Sequence, residues 1–140
     1  MKLQSKYEQA EREETRYEAV QTDDADVVLV GYGISARILK SVVQLGRVQG
    51  LRLGLLRPIT LYPFPTEAIR ALAATASAFL TVELSTGQMI EDVRLAVEGR
   101  RPVEFYGRSG GNVPSAEDVL AVVRNILKRV PAREPEVAHV

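Results

Sequence analysis

The chain has 140 residues, 46% hydrophobic and 26% charged, enough for one globular domain with a real core. Its 18 basic and 18 acidic residues cancel, and no apolar run reaches membrane-spanning length. A general electrostatic grip on nucleic acid, an anionic-membrane surface and a transmembrane helix are therefore not expected. With no cysteine and a single histidine, His139, beside the C-terminus, the composition excludes disulfides, a thiolate nucleophile, cysteine-ligated iron–sulfur clusters and a site built on several histidines.

Residues 1–15 are strongly charged, with Leu3, Tyr7 and Ala10 at helical spacing, which predicts an amphipathic helix with a thin apolar stripe. So charged an N-terminus does not resemble a signal peptide, and a cytoplasmic protein is expected. Residues 16–21 (RYEAVQ) alternate weakly and suit a short edge strand, followed by a turn cluster at residues 22–24. Residues 26–31 (DVVLVG) hold a β-branched apolar run of the kind buried on both faces of a parallel sheet. A helix then runs to about residue 49, with Ile34, Ile38, Val42 and Leu45 along one face and Leu39 and Val43 beside them. Gly50 ends it.

Residues 51–56 (LRLGLL) read as the next strand and residues 57–65 as a loop stiffened by three prolines. Pro65 opens a helix to about residue 76. Residues 79–84 form the central strand, closed near its end by one carboxylate, Glu83, and residues 85–87 form a tight turn. From near Gln88 a helix places Ile90, Val93 and Val97 on one face. Residues 102–106 (PVEFY) are the last strand, and residues 108–112 a Gly-rich loop. Ser115 caps a final helix, with Asp118 three residues on and Val119, Val122, Val123 and Ile126 inward. Residues 131–140 read as a disordered tail. Three segments follow: a helix at 1–15, a domain at 16–130 and a tail at 131–140. Strand–helix units repeated four times after one short strand predict a three-layer α/β/α domain with right-handed crossovers.

Five features invite a functional reading. Gly31-Tyr32-Gly33, with Ala36 three residues on, lies between a strand and a helix and matches the relaxed dinucleotide fingerprint. There the glycines would let a phosphate approach the helix N-terminus, and Arg57 would stand near a 2′-phosphate. The same glycines also suit any tight strand–helix turn. Glu83 would serve as an acid or base only with a proton partner, and the sequence places no histidine or lysine beside it. Its structural reading, accepting backbone N–H groups of the following turn or pairing with an arginine, is favoured. Gln88 suits a helix start or an interface hydrogen bond. Arg57, Tyr62 and Phe64 form a stiff aromatic loop of the composition that anchors interfaces. The loop at residues 108–111 offers backbone N–H groups to an anion, or simply connects two elements.

Four stretches together carry a family resemblance: residues 32–38 (YGISARI), 55–65 (LLRPITLYPFP), 82–97 (VELSTGQMIEDVRLAV) and 102–111 (PVEFYGRSGG). In this order they resemble the C-terminal part of the α subunit of 2-oxoacid:ferredoxin oxidoreductases, in the group acting on 2-oxoglutarate or branched-chain 2-oxoacids. The resemblance spans residues 16–129. It implies a domain like the transketolase C-terminal domain: a five-stranded mixed sheet, order 1-3-2-4-5, with strand 1 antiparallel. It further implies thiamine diphosphate, magnesium and iron–sulfur clusters in the whole complex and none in this chain. The implied partners are the other domains and the β subunit, with ferredoxin and CoA reached through the complex, and a homodimer is open because related domains pair.

In that order the topology switches between the strand ending at Gly31 and the strand ending at Leu84. Tyr32, Gly33, Glu83 and Gln88 should then share one rim, with Gly31, Arg57 and Tyr62 as further candidates for ligand or interface contact. No residue is expected to be catalytic, and the chain alone is expected to be inactive, whether a fragment, an expressed domain or a split subunit. The rival readings are a stand-alone nucleotide- or anion-binding module using the Gly31-x-Gly33 turn, and an enzyme using Glu83 as acid or base.

Overall fold

A computed structural model describes residues 16–59, 64–83, 88–107 and 114–130. The predicted helix at 1–15, the tail at 131–140, the turn at 85–87, the loop at 108–112 and Tyr62 lie outside these residues. Strands β1 (Tyr17–Val20), β2 (Val27–Val30), β3 (Leu53–Pro58), β4 (Ala78–Glu83) and β5 (Val103–Gly107) form one sheet. Helices α1 (Ile34–Val48), α2 (Thr66–Leu72), α3 (Gln88–Val97) and α4 (Ala116–Arg129) follow β2, β3, β4 and β5 in turn. The strand order is β1-β3-β2-β4-β5, with β1 antiparallel to β3 and every other pairing parallel. This is the expected topology.

The sheet is covered on both faces, which is why its central strands read as unbroken apolar runs. All four residues of β2 and all six of β4 are buried. Alternate side chains divide between two cores. Val27, Leu29, Leu53, Leu55, Leu80 and Val82 meet Leu39, Val42 and Val43 of α1 and Val119, Leu120, Val123 and Ile126 of α4. Val28, Val30, Leu56 and Phe79 meet Ile69 of α2 and Met89, Val93 and Val97 of α3. The α3 face follows the predicted spacing. In α1 the buried stripe is centred on Leu39, Val42 and Val43, while Leu45, expected inward, is 39% exposed. In α4, Leu120 is buried and Val122 only partly so.

Several boundaries differ from expectation for identifiable reasons. β3 starts two residues late because Leu51 and Arg52 make a turn: Arg52 O accepts from Asp26 N–H at 2.7 Å, and Leu51 O from Leu53 N–H. It then continues through Arg57 and Pro58, which were expected in a loop, because β1 pairs with them antiparallel, Glu18 opposite Arg57 and Tyr17 opposite Pro58. The proline is tolerated there. Ile59, not Pro58, donates to the O of Arg16 just before β1, so the missing N–H faces the other neighbour, β2, which has already left the sheet at Val30. Pro65 is the N-cap of α2 rather than its first helical residue, and α2 ends at Leu72. The final helix begins as expected, Ser115 and Asp118 exchanging side-chain and backbone hydrogen bonds at 3.2 Å each.

Candidate functional site

All four parallel strands end at one edge of the sheet, and the direction of connection reverses between β2 and β4: the chain leaves β2 for β3 on one side and β4 for β5 on the other, through helices on opposite faces. That divergence opens the crevice in which open α/β sheets hold ligands or partners. Gly31 packs at its floor. A Cβ there would lie 2.6 Å from Leu39 Cδ1 and 3.4 Å from Val82 O of the neighbouring strand, so a larger residue would have to displace the Leu39 side chain where α1 approaches. Gly33, the N-cap of α1, has φ of +64°, which favours glycine, and nothing stands near where its Cβ would be. Tyr32 between them is 40% exposed. No side chain caps α1, and no acidic residue lies in its first turn.

On β4, Glu83 is only 3% exposed. Its carboxylate accepts two backbone bonds from the first turn of α3: Met89 N–H donates to Oε1 at 2.7 Å and Ile90 N–H to Oε2 at 3.3 Å. A helix start leaves its first amides without intrahelical acceptors, and its dipole favours a negative charge there. Glu83 supplies both the charge and the acceptors. Of the two structural partners considered in sequence, the backbone is the one found among the described residues, in the first turn of α3. Thr81, on the same strand face, is fully buried with a hydroxyl that has no hydrogen-bond partner. The side chain of Gln88 lies outside what the structure describes; its backbone begins α3.

Arg57 does not stand free in a loop. It sits near the end of β3 with Nη1 3.7 Å from Oε1 of Glu18, which also lies 2.7 Å from Lys40 Nζ of α1. Lys40, then Arg57, hold the Glu18 carboxyl below its ordinary value. Sequence reasoning missed this cluster, since its members come from three elements that only the antiparallel pairing of β1 unites. Its one early signal was the carboxylate in the weakly alternating edge strand. At the opposite end of the sheet, Arg47 grips Asp24 through bonds of 2.6 and 3.0 Å and likewise holds that carboxyl low.

These two lowered carboxyls set an acid limit. A carboxyl depressed in the folded state stabilises the fold fully above its unfolded value, ordinarily 3.8 for Asp24 and 4.5 for Glu18. That contribution is lost as the pH falls through the lower folded value. Urea midpoints should therefore drop between pH 5 and more acidic conditions, and Asp24→Asn should show a smaller drop than the wild type. An identical pH slope in the two proteins would contradict the pairing. Among the described residues no cluster of His, Cys, Asp and Glu could hold a metal ion, and no helix is long and apolar enough to cross a membrane.

Residues 25–119 match the family model described as pyruvate:ferredoxin oxidoreductase core domain II. The ketoisovalerate oxidoreductase subunit VorB of Methanothermobacter marburgensis is 50% identical over 124 residues, covering 89% of this chain. The chain spans only 35% of that relative's length. The solved 2-oxoglutarate:ferredoxin oxidoreductase from Magnetococcus marinus, with 2-oxoglutarate, coenzyme A and succinyl-CoA bound, superposes with a TM-score of 0.74 at 20% identity. The match covers 84% of this chain and 21% of that one. A split gene transketolase, solved as an inactive β4 tetramer, gives a TM-score of 0.68 at 21% identity over 81% of this chain and 41% of that one. At those identities the two structures share the fold with this chain.

Proposed function

The chain belongs to the pyruvate:ferredoxin oxidoreductase core domain II family, and we propose that it is a non-catalytic structural and docking domain of a thiamine-diphosphate-dependent 2-oxoacid:ferredoxin oxidoreductase. The whole complex would convert a 2-oxoacid and CoA to an acyl-CoA and CO2 and reduce ferredoxin. A branched-chain 2-oxoacid is the favoured substrate, because the half-identical relative is named for ketoisovalerate. Other domains and a β subunit of the same enzyme are the proposed partners, and the cytoplasm the proposed location.

The observation that carries the non-catalytic reading is the state of Glu83. It is the buried acid on the crevice rim, and both of its oxygens are committed to the backbone of α3. An acid or base must reach its substrate, and this carboxylate is only 3% exposed with each oxygen held by an α3 amide. The chain has no cysteine for an iron–sulfur cluster, and among its described residues no group of three or more His, Cys, Asp and Glu could hold a metal ion. The rival nucleotide- or anion-binding module loses its cation, since Arg57 is turned to Glu18 beside Lys40.

Reconstitution tests the proposal. The tagged chain is expected to capture the remaining polypeptides of the oxidoreductase. CoA-dependent oxidation of ketoisovalerate should appear only when it is added back to them, and the chain alone should give no turnover. Turnover by the isolated chain, or full activity of the other polypeptides without it, would overturn the reading.

A further inference from the structure

The two sides of the sheet end differently. At β5 the pattern of backbone bonds shows which groups are left over. Pro102 O accepts from Phe79 N–H at 3.0 Å, and Phe79 stands opposite Val103. In a parallel pair the amide and carbonyl of one residue point to the same side, alternating along the strand. The even residues of β5 therefore face β4, and Val103, Phe105 and Gly107 turn their N–H and C=O groups away from the sheet. No described strand pairs with that edge.

Edge strands in soluble proteins are normally blunted by a lysine, a proline or a bulge. β5 (VEFYG) has none of these, and its central residue is an exposed phenylalanine, 41% accessible. The Phe105 ring bends over Gly107, where a Cβ would fall 2.3 Å from the ring's Cζ. The charge on this strand is already met, since Arg129 Nη1 of α4 lies 3.1 Å from Glu104 Oε1.

We propose that the open edge of β5 pairs with the same edge of a second copy of this chain, antiparallel and centred on Phe105. The five-residue strand is self-complementary under a two-fold axis through that residue. Phe105 meets Phe105 of the second copy, with both outward N–H groups donating to both outward carbonyls. Val103 meets Gly107 of the second copy and Gly107 meets Val103. The ring bent over Gly107 then covers the Val103 side chain across the axis. The pairing is also complementary in charge. Glu104 falls opposite Tyr106 of the second copy, a hydroxyl donor, so the two carboxylates do not face each other. A shift of one residue either way loses these matches.

Sedimentation velocity of the 140-residue chain across a dilution series tests this. A concentration-dependent dimer is expected. Phe105→Lys should convert it to monomer by placing like charges on the axis. Phe105→Pro should do the same by removing the central donor, at no cost to the β4 ladder because that N–H points outward. Tyr17→Lys, on the opposite edge, should leave the dimer intact, and thermal melts establish that each variant is folded. A monomer at every concentration, or a dimer that survives both Phe105 substitutions in folded protein, overturns the proposal.

Discussion

Phe79→Ala is expected to lower stability by about 4 kcal/mol, seen as a fall in the urea midpoint with little change in slope. Phe79 is fully buried, flanked in the sheet by Val28 of β2 and Val103 of β5. It belongs to the core that joins Ile69 of α2 with Val93 and Val97 of α3. Truncation removes its transfer free energy and leaves a cavity between strands held on both sides by neighbours, which limits collapse. Leu80 points to the other face, among Val43 and Val123. Leu80→Ala should cost about 3 kcal/mol, in the usual leucine range, and the two losses should add within roughly 0.5 kcal/mol if the sheet separates the cores. A cost below about 1.5 kcal/mol for Phe79→Ala would mean that this core is not packed as described.

The same separation explains why the fold was legible in sequence. Buried parallel strands need continuous apolar runs, and flanking helices need a one-sided stripe, so Val27–Val30 and the Ile90, Val93, Val97 spacing announce themselves locally. The strand order came with the family resemblance, since no local pattern says which strand neighbours which. Signals that depend on distant partners were misread. Arg57 looked like a loop residue because its strand assignment requires β1, 39 positions earlier at Glu18, to lie beside it. Leu45 looked inward because helical spacing alone does not say where the stripe's centre meets the sheet. For Glu83, a lone carboxylate ending an apolar run was enough to mark the rim. Its partner depended on where α3 begins, and so could not be chosen from spacing. The exposure of Phe105 follows from β5 being last in the sheet, which the alternation in PVEFY does not encode.

Glu83→Ala is expected to cost about 3 kcal/mol, large for a polar residue. The loss combines two charge-assisted bonds with two buried amides left without the acceptor they have in the wild type. Glu83→Gln should cost about half as much, because one oxygen remains to accept while the amide nitrogen cannot, and the charge facing the helix dipole is gone. Thr81→Val on the same strand face is the matched control. Its hydroxyl is buried without a partner, so replacing it should cost nothing and is expected to raise stability by about 1 kcal/mol. A small anion offers a sharper readout. In Glu83→Ala the vacated space ends at the amides of Met89 and Ile90, at a helix start that favours negative charge. Formate should then raise the melting temperature of this variant more than chloride at equal ionic strength, and should do nothing comparable for the wild type. If Glu83→Gln melts with the wild type, or formate and chloride act alike on Glu83→Ala, the carboxylate is not what anchors α3. In that case the crevice rim would be held by packing alone, and Glu83 would again be available as an acid.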